Sequence, residues 1–230
     1  MDLKTKIRNI KDYPKEGIIF RDVTTLLKDK GAFNQAIDEM CDLAKGKDID
    51  YIAGIDARGF IIGGAMAYKM GCGFIPVRKP GKLPFEKIKK EYALEYGNDA
   101  LEIHKDAAEQ GAKVLVIDDL LATGGTAGAA CELLEEIGAE VEGVYFIVEL
   151  VDLKGRDALN KYDVKSLLKY EGERELKMPL SQGPLITKAS SCPMWLKRSK
   201  AASRPQGMAR SLRPFMTAWT CMSQTMTTCS

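Results

Sequence analysis

Residues 114–126, Val-Leu-Val-Ile-Asp-Asp-Leu-Leu-Ala-Thr-Gly-Gly-Thr, constrain the fold more than any other part of this chain. The four leading apolar residues, three of them β-branched, have the composition of a strand buried on both faces. Asp118 and Asp119 follow at its C-terminal end, then a short loop, and helix-compatible spacing resumes over residues 127–137. Gly124 and Gly125 let the backbone turn tightly and approach an anion with no Cβ in the way. The N–H groups at a helix start point at such an anion, and the helix dipole favours it. Thr123 and Thr126 add hydroxyl donors.

The two acids narrow the ligand further. A phosphate cradle alone gains nothing from Asp118 and Asp119, and burying either carboxylate unpaired would be costly. They suit a ligand that carries hydroxyls as well as phosphate, or a divalent metal. A ribose 5-phosphate unit fits, its phosphate on the loop and its 2′- and 3′-hydroxyls donating to the acids. Dinucleotide-binding folds divide the work the same way. An ordinary turn with solvated acids is the plainer alternative, and the full string weighs against it.

The rest of the chain supplies the partners of that strand. Residues 33–44 read as a helix, 51–55 as a buried strand, 60–70 as an apolar helix and 73–77 as a further strand. Such alternation predicts a parallel sheet with both faces covered. The turn Asp56-Ala57-Arg58-Gly59 repeats the layout of strand, polar turn and helix start, and Arg58 suits a second anion. A surface pair between Arg58 and Asp56 is the alternative. Residues 78–92 break the rhythm with Pro80, Pro84 and a run of cations, too proline-rich for a sheet centre and long for a plain connector. Strands resume at 92–95 and 100–103 around a hairpin turn at 96–99. Gly138 reads as a helix stop. Strands follow at 141–150 and 164–169, with a short helix near 156–160. At the front of the chain, residues 3–10 have the spacing of a short amphipathic helix, and 18–22 read as extended.

Charge divides the chain unevenly. The total is +2, but residues 173–230 hold nine of the 34 basic and only two of the 32 acidic residues, which leaves residues 1–172 at −5. That balance removes a whole-domain argument for nucleic-acid binding. Residues 173–230 also hold both tryptophans and six of the ten methionines, with no sustained period, so they read as a basic interaction tail or as an extension that packs on nothing, disordered or non-native. Composition favours the extension. Cys41, Cys72 and Cys131 are far apart and His104 is the one histidine, so no zinc or redox framework is readable. No apolar run approaches the ~20 residues of a membrane span and no signal peptide is visible, which predicts a cytoplasmic protein. A P-loop is excluded because no G-x-x-x-x-G-K-[ST] string occurs.

Residues 114–126 resemble the 5-phosphoribosyl-1-diphosphate (PRPP) signature of the type I phosphoribosyltransferase family, and the wording from Asp118 to Thr126 is similar to that of its adenine-using branch. The resemblance covers residues 1–172 and implies that family's α/β fold: a mostly parallel central sheet flanked by helices, with a small hood over about 1–30 and a mobile lid over about 78–92. It implies that Asp118 and Asp119 hold the ribose and that Ala122, Thr123, Gly124, Gly125 and Thr126 hold the 5′-phosphate. Asp56, Ala57, Arg58 and Gly59 would bind pyrophosphate, in the family often across a strained peptide bond, with Arg78, Lys79 and Lys82 closing over it from the lid. Glu95 would handle the proton of the purine, and Ile19, Phe20 and Arg21 would form the hood over the base. The implied reaction is purine salvage, adenine plus PRPP giving AMP and pyrophosphate. Mg²⁺ would be carried by PRPP with no direct protein ligand, and the enzyme would be a homodimer with no nucleic-acid or membrane partner. Transfer to another base (hypoxanthine or guanine, xanthine, orotate) and a PRPP-sensing regulator on the same fold are the alternatives.

Overall fold

Apolar strands that present side chains to both faces need cover on both, and this chain provides it with two different layers. The computed structural model describes residues 1–13, 15–94 and 97–172, with backbone alone at 93, 94, 97 and 98. All lie within one compact unit, Met1–Met178. The strands are β1 (Arg8–Lys11), β2 (Ile19–Asp22), β3 (Tyr51–Ile55), β4 (Gly73–Val77), β5 (Lys87–Leu94), β6 (Gly97–His104), β7 (Lys113–Leu121), β8 (Glu140–Leu150) and β9 (Val164–Tyr170). The helices are α1 (Thr24–Lys28), α2 (Lys30–Leu43), α3 (Arg58–Met70) and α4 (Gly125–Glu136). Five strands form a wholly parallel sheet in the order β4-β3-β7-β8-β9. Two antiparallel hairpins, β1-β2 and β5-β6, stand outside it.

Strand β7 shows how the core is divided. Leu115 and Ile117 pack with Ala36, Ile37 and Met40 of α2 and Ile62 and Met66 of α3. Val114 and Val116 face the other way, among Ala130, Leu133 and Leu134 of α4 and Leu101 and Ile103 of β6. Each such buried aliphatic side chain contributes roughly 1.5–3 kcal/mol. Pro76 sits in β4, an edge strand, where a missing N–H does least harm. Helix α2 starts at Asp29, whose carboxylate accepts from the N–H groups of Gly31 and Ala32, both at 3.0 Å. Gly138 ends α4 with φ +90°, as its position predicts.

Two expectations are corrected. Residues 3–10 are not one helix: Leu3–Lys6 is a single 3₁₀ turn, and Arg8–Lys11 is strand, paired residue by residue with β2. Leu3 and Ile7 are buried, so the apolar spacing served packing, while strand pairing captured the backbone beyond Ile7. The lid is also shorter than expected, because Lys87 begins β5. Ile88 and Tyr92 of β5 pack on the core. Between them Lys90 reaches Glu132 of α4 at 2.7 Å, so a lysine occupies an inward place through its long stem. No helix among the described residues is long and apolar enough to cross a membrane.

Candidate active site

Strand β3 leads through α3 to β4 on one side, and β7 leads through α4 to β8 on the other. Strand order therefore reverses between β3 and β7, and the crevice at their carboxyl ends is the place where an open parallel sheet binds its ligand. Both anion-binding turns of the sequence open there, residues 56–59 after β3 and residues 122–126 after β7. The first turn abuts the end of β7: a Cβ added to Gly59 would stand 2.7 Å from the Ile117 carbonyl oxygen and 3.2 Å from Asp118 Oδ1. The Asp56–Ala57 peptide between β3 and α3 is cis. Neither α3 nor α4 carries an acidic residue in its first turn, so both helix starts are left to attract an anion.

The diacid lies between the two turns. Asp119 is buried, and Arg58 Nε stands 2.6 Å from its Oδ2. Arg58 thus pairs across the crevice with the second acid, not with Asp56 in its own turn. Asp118 Oδ1 accepts from the Asp119 N–H at 2.9 Å. Burial, and then the neighbouring Asp119 carboxylate, push the Asp118 carboxyl well above the usual range. Asp56 takes Arg78 instead, with Nε donating to Oδ2 at 3.2 Å, and the Arg78 guanidinium lies over the Phe60 ring. The start of the 78–86 segment is therefore tied to the first turn.

Gly124 starts α4 in the left-handed region, φ +84° and ψ −9°, which an L side chain adopts at a cost. Its carbonyl accepts from Gly128 at 2.9 Å, closing the first helical bond. Thr126 is half-buried and Thr123 is exposed at the mouth of the loop.

A family model for the phosphoribosyl transferase domain matches residues 24–175. The adenine phosphoribosyltransferase of Thermotoga neapolitana is 56% identical over 170 residues, which cover 74% of this chain and 100% of that protein. The chain belongs to the adenine phosphoribosyltransferase family. A solved adenine phosphoribosyltransferase from Thermoanaerobacter pseudethanolicus superposes with a TM-score of 0.72 at 50% identity, over 74% of this chain and 98% of that one. The Saccharomyces cerevisiae enzyme, solved with D-2,5-dideoxy-2,5-imino-altritol 1,6-bisphosphate and adenine, gives a TM-score of 0.69 at 42% identity, over 73% of this chain and 97% of that one.

The remaining residues expected from the family resemblance are placed as follows. In the lid, Lys79 is held by Asp99 and by the Tyr92 hydroxyl, the latter at 2.8 Å, and Lys82 is exposed. In the hood, Ile19, Phe20 and Arg21 are half-buried in β2. Phe20 meets Tyr13 edge to face, and Arg21 lies over the Tyr170 ring, 4.2 Å from its centre. The β1-β2 hairpin is thereby docked on the last strand, a contact that no local pattern announces. Glu95, the turn beside it and residues 173–230 lie outside the described residues.

Two further groups escaped the sequence reading of this family member. Glu102, buried in β6, accepts from the Gly81 N–H at 3.0 Å and pairs with Lys87 at 2.9 Å, fixing the segment between β4 and β5 from beneath. Glu149, buried at the end of β8, is gripped by Arg156. An acid inside an otherwise apolar strand, residues 144–150, was the available signal.

Proposed function

We propose that this chain transfers the 5-phosphoribosyl group of PRPP to adenine, forming AMP and releasing pyrophosphate in purine salvage. The observation that carries the reading is the pair of acid-free helix starts opening on one crevice with a diacid at it, Asp119 buried and paired with Arg58. A sugar with an anion at each end and hydroxyls in the middle is complementary to that arrangement. The yeast relative solved with an imino sugar bisphosphate and adenine supports it.

The assignment of roles follows. The amides of residues 122–126, with the Thr123 and Thr126 hydroxyls, take the 5′-phosphate. Asp118 and Asp119 accept from the ribose hydroxyls, which lets a carboxylate replace water in a dry crevice. The turn at 56–59, with Arg58, takes pyrophosphate, and Arg78, Lys79 and Lys82 add cations above it. In the reaction the C1–O bond breaks with its electron pair leaving on pyrophosphate, N9 of adenine bonds to C1, and the N9 proton departs. The diacid places negative charge near the sugar as it turns cationic. Glu95 is assigned the proton, and Glu95→Gln is expected to cost about 10²–10⁴ in rate.

Among the described residues no three His, Cys, Asp or Glu side chains are grouped to hold a metal ion. Mg²⁺ would arrive on PRPP and be held by it with no direct protein ligand, while Asp118 and Asp119 meet the ribose hydroxyls. Such an ion supplies charge neutralisation to the leaving pyrophosphate. A homodimer is supported by the outer face of α3 and the neighbouring edge strand, where Ile61, Tyr68 and Phe74 are 50%, 92% and 36% exposed. We place the enzyme in the cytoplasm.

The test is pyrophosphate release from PRPP with a panel of bases and Mg²⁺. Adenine is expected to turn over far faster than hypoxanthine, guanine, xanthine or orotate. Turnover of one of those with none of adenine would end the adenine assignment, and no release with any base would end the transferase reading.

A further inference from the structure

Backbone stacked directly on backbone is uncommon away from sheets, and it occurs beside the 5′-phosphate loop. A Cβ on Gly124 would run into the Gly155 carbonyl oxygen and stand 3.0 Å from the Ala158 Cβ. A Cβ on Gly155 would in turn run into the Ala122 carbonyl oxygen and stand 2.8 Å from Leu121 Cδ1. No side chain separates the two segments. The conformation of residues 122–124 is therefore set by where Gly155 lies.

Gly155 belongs to an irregular connector between β8 and β9: a 3₁₀ turn at Val151–Leu153, Lys154 in the left-handed region at φ +52°, and a second 3₁₀ turn at Asp157–Leu159. Its backbone bonds are local turns, such as Lys154 N–H to the Val151 carbonyl at 3.0 Å and Asp157 N–H to the Lys154 carbonyl at 2.9 Å, and they fix its own shape without tying it to β8 or β9. At its far end Leu159 is fully buried against α4. Next to Gly155, Arg156 makes the most extensive side-chain contact of the connector. Its Nε donates to Glu149 Oε1 at 2.6 Å and its Nη2 to Glu149 Oε2 at 2.8 Å, a bidentate grip. Nη1 donates to the Val164 carbonyl at 2.8 Å, and the Ser166 hydroxyl closes the network on Glu149. The Glu149 side chain is only 5% exposed, and Arg156 holds its carboxyl below the ordinary range.

We propose that Arg156, clamped between the ends of β8 and β9, is a positioning residue for the 5′-phosphate cradle, which it shapes by holding Gly155 against Ala122 and Gly124. Arg156 acts through backbone and does not touch the ligand. This inference rests on the assignment of residues 122–126 to the 5′-phosphate. It predicts that loss of the clamp weakens ligands in proportion to their use of that phosphate, and leaves the pyrophosphate turn alone.

The test uses the full chain and three probes: ribose 5-phosphate, AMP and inorganic pyrophosphate, titrated calorimetrically. Arg156→Lys keeps the charge and loses the fork. Arg156→Met with Glu149→Met removes both charges together, so no buried carboxylate is stranded and the fold is protected. Ribose 5-phosphate and AMP are expected to bind about tenfold more weakly to the double variant and severalfold more weakly to Arg156→Lys. Pyrophosphate affinity should stay within twofold in both, and KM for PRPP should rise more than kcat falls. Unchanged ribose 5-phosphate and AMP affinity in either folded variant overturns the proposal, as does an equal loss for all three probes, which would mark a general structural role. Wild-type protein that binds ribose 5-phosphate no better than ribose would overturn the phosphate assignment itself, whatever the variants do.

Discussion

Replacing Arg58 by methionine keeps a stem of similar length and removes the guanidinium from Asp119. The pair is close, 2.6 Å, and Asp119 keeps only 6% of its side chain exposed, with Asp118 next to it in the chain. Removing one partner of a fully buried pair costs about 3–5 kcal/mol, because the other charge is left unpaired. Arg58 is 39% exposed, so water shares in the solvation of this pair and the cost should fall to about 1–3 kcal/mol. For a domain of this size ~2 kcal/mol corresponds to a Tm lowered by about 4–8 °C. Asp119→Asn removes the stranded charge, so Arg58→Met with Asp119→Asn should regain at least half of the loss. Urea unfolding of the four proteins, with m unchanged, measures the coupling. An Arg58→Met variant as stable as wild type, or strictly additive losses, would refute the idea that the arginine neutralises the second acid.

Asp118→Asn with Asp119→Asn should lower kcat/KM for PRPP by about 10²–10⁴, two charge-assisted hydrogen bonds at roughly 1.5–3 kcal/mol each, with the circular dichroism of the fold kept; unchanged steady-state kinetics would count against the ribose role. Bonds from Thr24 and Arg8 lower the Asp22 carboxyl from 3.8 to about 2. Its folded value lies below its unfolded one, so the stability it contributes is present above about pH 4 and is lost as pH falls towards 2. Asp22→Asn should flatten that part of the acid denaturation curve, and an unaltered curve would exclude the contribution. Deleting residues 179–230 should leave kcat/KM for adenine within about twofold, since the family match ends at 175 and 170 residues span the whole Thermotoga neapolitana relative. A folded but inactive truncation would assign a role to that tail.

The sheet could be read from the sequence because its signals are local. Residues 114–117 are a continuous apolar run with three β-branched residues, 51–55 and 73–77 are short apolar runs with two each, and acids or cations follow them. Only the end of β5 is legible in the sequence; its first part, from Lys87, is hidden because its inward-facing row includes Lys90, whose stem lies along α4 while its charge reaches Glu132. Residues 8–11 were misread because the spacing of Leu3, Ile7 and Ile10 suits a helix, and only pairing with β2 decides otherwise. At the site, glycines and acids in each turn could be listed in advance, but their partners could not. Arg58 with Asp119, Arg78 with Asp56 and Arg156 with Glu149 are joined by the fold across stretches where sequence spacing carries no information.

The two turns spring from β3 and β7, which are immediate neighbours in a parallel ladder. Neighbouring strands lie about 4.8 Å apart, a spacing fixed by peptide geometry and indifferent to side chains. The interval between the two anchorages is consequently a ruler made of main chain, which point substitution can hardly stretch. With the base under the separate β1-β2 ribbon, as the family resemblance implies, adaptation to a new acceptor can proceed there and leave the sugar's measure untouched.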